Sequence, residues 1–201
     1  AEDSTFSFTI PANAFSDAEG DLLRYSVQLA GGGALPSWLS FDAATRTFSG
    51  TPSNDDVGVI NLQVSVSDGN GGTASDNFSI TVINTNDAPT VNAPAVNPVA
   101  QEDSPFTLRF PLTMFNDVDV GDSLSYSAQL ANGQPLPAWL KFDAATLTFS
   151  GTPENDDVGD IDIQLIASDG QASVSFQFII HVEAVNDAPV TTSPITINNH
   201  E

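Results

Sequence analysis

Along the second half of the chain apolar and polar residues alternate strictly. Leu124, Tyr126, Ala128 and Leu130 form one such run, Ile161, Ile163, Leu165 and Ala167 a second, and Val174, Phe176, Phe178, Ile180 and Val182 a third. A period of two sends successive side chains to opposite faces of an extended chain, so these runs predict half-buried antiparallel strands. Turn-forming stretches separate the strands, notably Ser67-Asp68-Gly69-Asn70-Gly71-Gly72 and Ser168-Asp169-Gly170-Gln171, and such stretches close short hairpins. No apolar stripe at helical spacing competes with this pattern.

The pattern occurs twice. Leu35-Pro36-Ser37-Trp38-Leu39-Ser40-Phe41-Asp42 and the following Phe48-Ser49-Gly50-Thr51-Pro52 recur as Leu136-Pro137-Ala138-Trp139-Leu140-Lys141-Phe142-Asp143 and Phe149-Ser150-Gly151-Thr152-Pro153, a shift of 101 positions. Asn54-Asp55-Asp56-Val57-Gly58 matches Asn155-Asp156-Asp157-Val158-Gly159, and Asn86-Asp87-Ala88-Pro89 matches Asn186-Asp187-Ala188-Pro189. A repeat of this length is too long for a solenoid unit that leans on its neighbours, so each copy is expected to fold as a domain. The expected division is 1–87 for the first copy, lacking its first strand, 88–187 for the second, and 188–201 as the leading strand of a following repeat. In that tail Ile195 and Ile197 alternate like a strand, which raises weak self-association by strand exchange onto the edge of copy 1 as an expectation. Several short strands per copy predict an all-β fold, two tandem antiparallel β-sandwiches of immunoglobulin-like type. Trp38 and Trp139, at equal places, read as core or sandwich-edge residues, while Arg46 and Leu147, which differ between the copies, read as surface positions.

Composition narrows the chemistry. The 201 residues carry 26 acidic side chains against 4 basic ones, a formal charge of -22, and no cysteine. Disulfides, thiol catalysis and cysteine-based metal sites are excluded. A chain so poor in Lys and Arg cannot form the basic footprint that nucleic acid or anionic lipid requires. No apolar run is long enough to cross a membrane as a helix.

The acids cluster, and each cluster recurs. Copy 1 places them at Glu2, at Asp17, Glu19 and Asp21, at Asp55 and Asp56, at Asp68, and at Asp87 beside Asn86. Copy 2 repeats them at Glu102, at Asp117, Asp119 and Asp122, at Asp156 and Asp157, at Asp169, and at Asp187 beside Asn186. All fall in expected loops or strand ends. Ca²⁺ takes six to eight oxygen ligands, so carboxylates and carbonyls converging from several loops suit it. Isolated acids in hairpins also serve as plain turn residues, and acid runs also serve as solvated surface.

In their order these acidic motifs resemble cadherin repeats, and the Pro-x-Trp-Leu-x-Phe-Asp…Gly-Thr-Pro core resembles the dystroglycan-type cadherin-like domain of bacterial surface proteins. The resemblance sharpens the fold to an immunoglobulin/cadherin-like sandwich and implies Ca²⁺ between successive domains. It implies that Glu2, Asp55 or Asp56, Asn86 and Asp87 of copy 1 act with Asp117, Asp119, Asp122 and Asp169 of copy 2. It also implies incomplete sets at either end: Asp17, Glu19, Asp21 and Asp68 towards a preceding domain, and Glu102, Asp156, Asp157, Asn186 and Asp187 towards a following one. Thr85 and Val185 stand where cadherins carry further acidic ligands, which leaves the number of ions open.

Catalysis finds no support in the residues. Both copies carry the same acids, so no copy-specific carboxylate pair marks a glycosidase cleft. His181 sits on a strand at outward parity and His200 in the tail, and no Ser-His-Asp spacing is shared. The expectation is a non-enzymatic pair of calcium-rigidified extender or adhesion modules from a large secreted, extracellular cell-surface protein. Its expected partners are neighbouring repeats and a polysaccharide or cell-surface protein, not nucleic acid. The alternatives are a calcium-dependent carbohydrate-binding module and an accessory domain of a polysaccharide-degrading enzyme.

Overall fold

In a computed structural model of the chain, residues 1–93 and 95–189 are described. The chain separates into two compact units. Unit 1 comprises Ala1–Asp87 with Val118–Asp122, and unit 2 comprises Ala88–Asp117 with the chain from Ser123 onward. The leading strand expected over 188–201, and its exchange between molecules, fall mainly on 190–201, outside the described residues.

Unit 1 holds six strands: β1 (Phe6–Thr9), β2 (Arg24–Leu29), β3 (Leu39–Asp42), β4 (Thr47–Gly50), β5 (Gly58–Ser67) and β6 (Thr73–Val82). They form two antiparallel sheets, ordered β1-β4-β3 and β2-β5-β6. The alternation dictates what they bury. Leu62 and Val64 of β5 and Ile80 of β6 turn inward to meet Ile10, Leu39 and Phe48.

Unit 2 repeats this plan. Its strands are β7 (Thr90–Val91), β8 (Val99–Gln101), β9 (Phe106–Arg109), β10 (Phe115–Asn116), β11 (Ser125–Leu130), β12 (Leu140–Asp143), β13 (Thr148–Gly151), β14 (Gly159–Ser168) and β15 (Ser173–Glu183). One sheet is β12-β13-β9, the other β11-β14-β15-β8, with a short β10-β7 pair beside them. All three runs of alternation are strands, and Ile163, Leu165, Ala167, Phe178, Ile180 and Val182 are buried from β14 and β15. One pairing is not antiparallel: β8 runs parallel to β15, with Val182 opposite Ala100. A parallel pair needs a long crossover, and here strands β9 to β14 intervene between the two.

Local chemistry fixes the β3–β4 turn in both units. Asp42 Oδ1 accepts from the Ala44 amide at 2.8 Å, and Asp143 Oδ1 from the Ala145 amide at 2.9 Å. These are Asx turns, in which a short carboxylate replaces a backbone acceptor. The accepted bonds hold both carboxyls below their ordinary value, chiefly the Ala44 amide for Asp42 and the Thr146 hydroxyl for Asp143. The turn ends in a left-handed residue, Arg46 at φ 59° and Leu147 at φ 50°. The expectation that 46 and 147 are surface positions is corrected here. Leu147 is wholly buried and Arg46 is half-buried, because the left-handed backbone turns the side chain back over the sandwich.

The tryptophans pack as structural residues. Trp38 meets Phe6 edge-on at 6.4 Å, and Trp139 meets Phe106 at 6.1 Å. A Cβ added to Gly50 or Gly151 would sit 1.8 Å from the carbonyl oxygen of Trp38 or Trp139. Only glycine permits that approach. No helix among the described residues is long and apolar enough to cross a membrane.

Candidate metal centre

In unit 1 the main chain fastens the start of the unit to its end. The Glu2 amide donates to the Ile83 carbonyl at 3.1 Å, and the Asp3 amide to the Pro52 carbonyl at 2.8 Å. Asp3 lies at φ 52°, and beside it the Glu2 side chain is turned into the protein, where it is 1 % exposed. Its Oε1 accepts from the Thr85 amide at 2.5 Å, while its Oε2 is buried with no hydrogen-bond partner.

Asn54, Asn86, Asp87 and Asp119 of the same unit are tied to one another by hydrogen bonds. Asp87 Oδ2 accepts from the Asn54 side-chain amide at 2.8 Å, and the Asn86 side-chain amide donates to the Asp87 carbonyl at 2.9 Å. The Asp87 amide donates to Asp119 Oδ2 at 2.8 Å, and Asp119 is buried. Asp119 belongs to a single loop in which one oxygen each of Asp117, Asp119 and Asp122 lie within 4.8 Å of one another. Asp56 is already engaged: its Oδ2 accepts from the Ser53 amide at 2.9 Å and the Ser53 hydroxyl at 2.8 Å, capping the short 3-10 turn Asn54–Asp56. Asp55 on that turn is exposed.

Unit 2 repeats the buried glutamate, the Asn–Asp bond and the capped turn from its own residues. Glu102 is buried and accepts from the Val185 amide at 2.5 Å, and Asp187 accepts from the Asn155 side chain at 2.6 Å. Asn186 donates to the Asp187 carbonyl at 3.3 Å. Asp157 caps its turn through the Glu154 amide at 2.9 Å, and Asp156 is exposed.

The remaining expected ligands of unit 1 lie elsewhere. Asp68 occupies the β5–β6 hairpin, whereas 83–87 follow the far end of β6, a ten-residue strand that spans roughly 33 Å at ~3.3 Å per residue. Asp68 and Asp17 border one depression of about 220 Å³. Asp17 Oδ1 accepts from the Glu19 and Asp21 amides at 2.9 and 3.0 Å, and Asp68 Oδ1 from the Asn70 and Gly72 amides at 2.7 and 2.9 Å. The Glu19 side chain is exposed. In unit 2 Asp169 Oδ1 accepts from the Gln171 and Ala172 amides, each at 2.6 Å.

These donors suit a hard cation. Every side-chain donor is oxygen, and neither thiol nor imidazole stands among them, which favours Ca²⁺ over softer metals. Burying one carboxylate oxygen of Glu2 without a partner is costly unless a positive charge compensates it. The sequence reading did not single out Asn54 and Asn155, whose amides hold Asp87 and Asp187. Their recurrence in the repeated Asn-Asp-Asp-Val-Gly motif was the available signal.

Residues 1–83 and 88–183 each match the family described as "Putative Ig domain". The chain belongs to this family.

This pair of Ig domains is similar to the serine-rich adhesin for platelets of Staphylococcus aureus strain USA300, with 27% identity over 166 residues. That match covers 81% of the pair and 7% of the adhesin, so the chain spans a small fraction of its relative's length. Among solved structures, mouse cadherin-23 EC22-24 is similar at a TM-score of 0.59 and 17% identity, covering 87% of the pair and 57% of that chain. Drosophila N-cadherin EC1-4 gives 0.59 at 16% identity, covering 92% and 46%. The expected immunoglobulin/cadherin-like fold and its kinship with adhesin domains are thus borne out.

Proposed function

We propose that this Ig-domain pair is a calcium-rigidified, non-catalytic extender and adhesion module of a large secreted cell-surface protein. The observation that carries the reading is Glu2: a carboxylate 1 % exposed, with one oxygen lacking any hydrogen-bond partner, and unit 2 likewise buries Glu102, 2 % exposed. A protein that merely decorates its surface with acids has no reason to bury one twice. The ligands in this reading are Glu2, Asp55 or Asp56, Asn86 and Asp87, with Asp117, Asp119, Asp122 and Asp169. Asp17, Glu19, Asp21 and Asp68 are proposed to serve a preceding module, and Glu102, Asp156, Asp157, Asn186 and Asp187 a following one. Bound Ca²⁺ would supply positive charge where the carboxylates otherwise repel. A run of such modules then stands stiff outside the cell, where Ca²⁺ is abundant, and slackens where it is scarce.

Similarity to a staphylococcal adhesin supports the extracellular, cell-surface setting. The partners proposed are neighbouring repeats of the same chain and a polysaccharide or protein on a target surface. The packing of Trp38 on Phe6 and of Trp139 on Phe106 argues against a tryptophan sugar platform.

The test is thermal unfolding in millimolar Ca²⁺ and in chelator, for the wild type and for Glu2→Gln. Extracellular sites bind at about 10⁻⁴ to 10⁻³ M, and saturation at ~100 times the dissociation constant adds about 2.7 kcal/mol. The wild type should therefore melt several degrees higher with Ca²⁺. Glu2→Gln keeps an oxygen for the Thr85 amide but removes the buried charge, so it should lose most of that gain and equal or exceed the wild type in chelator. A wild-type melting temperature indifferent to Ca²⁺ overturns the proposal.

A further inference from the structure

The chain contains two Asn-Gly dipeptides, Asn70-Gly71 and Asn132-Gly133. In such a pair the backbone nitrogen of the glycine can attack the Asn side-chain carbonyl carbon, because no Cβ on the following residue obstructs the approach. A nitrogen–Cγ bond forms, the Cγ–Nδ2 bond breaks, and ammonia leaves with the proton of the glycine amide. Water then opens the resulting succinimide at either carbonyl, giving aspartate or isoaspartate. The balance is one water consumed and one ammonia released, with no redox change and no reactant but solvent.

The fold treats the two pairs differently. At Gly133 the attacking nitrogen is engaged: its N–H donates to the Leu130 carbonyl at 2.8 Å, inside a turn also closed by the Leu130 amide to the Gln134 carbonyl at 2.8 Å. The Asn132 side chain is engaged too, its Oδ1 accepting from the Gln134 amide at 2.9 Å. At Asn70 the attacking nitrogen is not so engaged. The Gly71 N–H makes no hydrogen bond among the described residues, Asn70 and Gly71 are both exposed, and the space where a Cβ of Gly71 would stand is open within 4 Å. One exposed side-chain bond, from Asn70 Nδ2 to Asp21 Oδ2 at 2.7 Å, holds the amide.

We infer that Asn70 is a site of spontaneous hydrolytic deamidation in the folded protein, and that Asn132 is protected by its turn. The product has a structural consequence. Asn70 is a donor facing the Asp21 carboxylate; its product is a second carboxylate, and the bond that ties the β5–β6 hairpin to the 17–21 loop becomes a like-charge contact. The conversion itself does not depend on calcium binding, and the melting comparisons are made in chelator, because Asp21 and Asp68 are proposed ligands.

The test is incubation of the folded chain at neutral to mildly alkaline pH, followed by peptide mass spectrometry and enzymatic methylation of isoaspartate. Asn70 should gain its single mass unit roughly tenfold faster than Asn132, the factor expected of one backbone hydrogen bond held closed. In strong denaturant the two rates should converge. Equal rates in the folded protein, or faster reaction at Asn132, overturn the inference. Asn70→Gln should abolish conversion at 70 without lowering the melting temperature. Asn70→Asp should lower it, by a margin that narrows as salt is added; no loss in Asn70→Asp overturns the stated consequence.

Discussion

At position 46 the two units make opposite choices for the same backbone. Leu147 fills its place in unit 2 completely, while Arg46 brings a guanidinium into the matching place in unit 1, its Nε buried without a hydrogen-bond partner and its Cζ 6.0 Å from the Tyr25 ring. An unsatisfied buried donor costs about 1–3 kcal/mol, against ~0.5–1 kcal/mol from a cation over an aromatic ring. Arg46→Leu should therefore stabilise unit 1 by about 1 kcal/mol, read as a raised denaturant midpoint. The positive φ is no obstacle, since Leu147 already adopts it. Sequence comparison found both positions variable and placed both at the surface. Variability between two copies reports what changed, and only the left-handed turn reveals that the change lies inside.

At the scale of elements the β3–β4 hairpin shows how much was legible. Its strands and its Asp were readable from alternation and turn chemistry, and the repeated Gly50 and Gly151 were visible without a reason. The reason is the carbonyl of the tryptophan, 1.8 Å from where a Cβ would stand. Gly50→Ala or Gly151→Ala forces backbone apart and should cost about 3 kcal/mol, at the upper end for overpacking, measured by urea titration. The Asx turn adds a pH dependence. Because the Asp143 carboxyl lies below its ordinary value in the fold, its contribution is full above the ordinary aspartate value of 3.8 and is lost as pH falls through the lower folded value. Asp143→Asn keeps an oxygen for the Ala145 amide but cannot titrate. Its urea midpoint should fall less steeply than that of the wild type as pH drops below about 4.

Over the whole molecule the two units share a plan but not a core. Phe110 packs edge-on against Phe149, Phe176 and Phe178 in unit 2, whereas unit 1 carries Ile10 and exposed Asp76 where Phe110 and Phe176 stand. β8 adds Ala100 to the buried set of unit 2. Calorimetry should resolve two transitions, the lower belonging to unit 1 and moved selectively upward by Arg46→Leu; a single transition shifted as one would show the units unfold together. The sequence by itself determined the strands, the repetition and the sorting of a charge of -22 into recurrent clusters, because period-two alternation and turn chemistry are local properties. Tertiary structure alone decided that Glu2 and Glu102 are buried, that Asn54 and Asn155 hold Asp87 and Asp187, and that β8 runs parallel to β15. Each of these depends on which distant segments the closed sandwich brings together, and a one-dimensional pattern does not encode that distance.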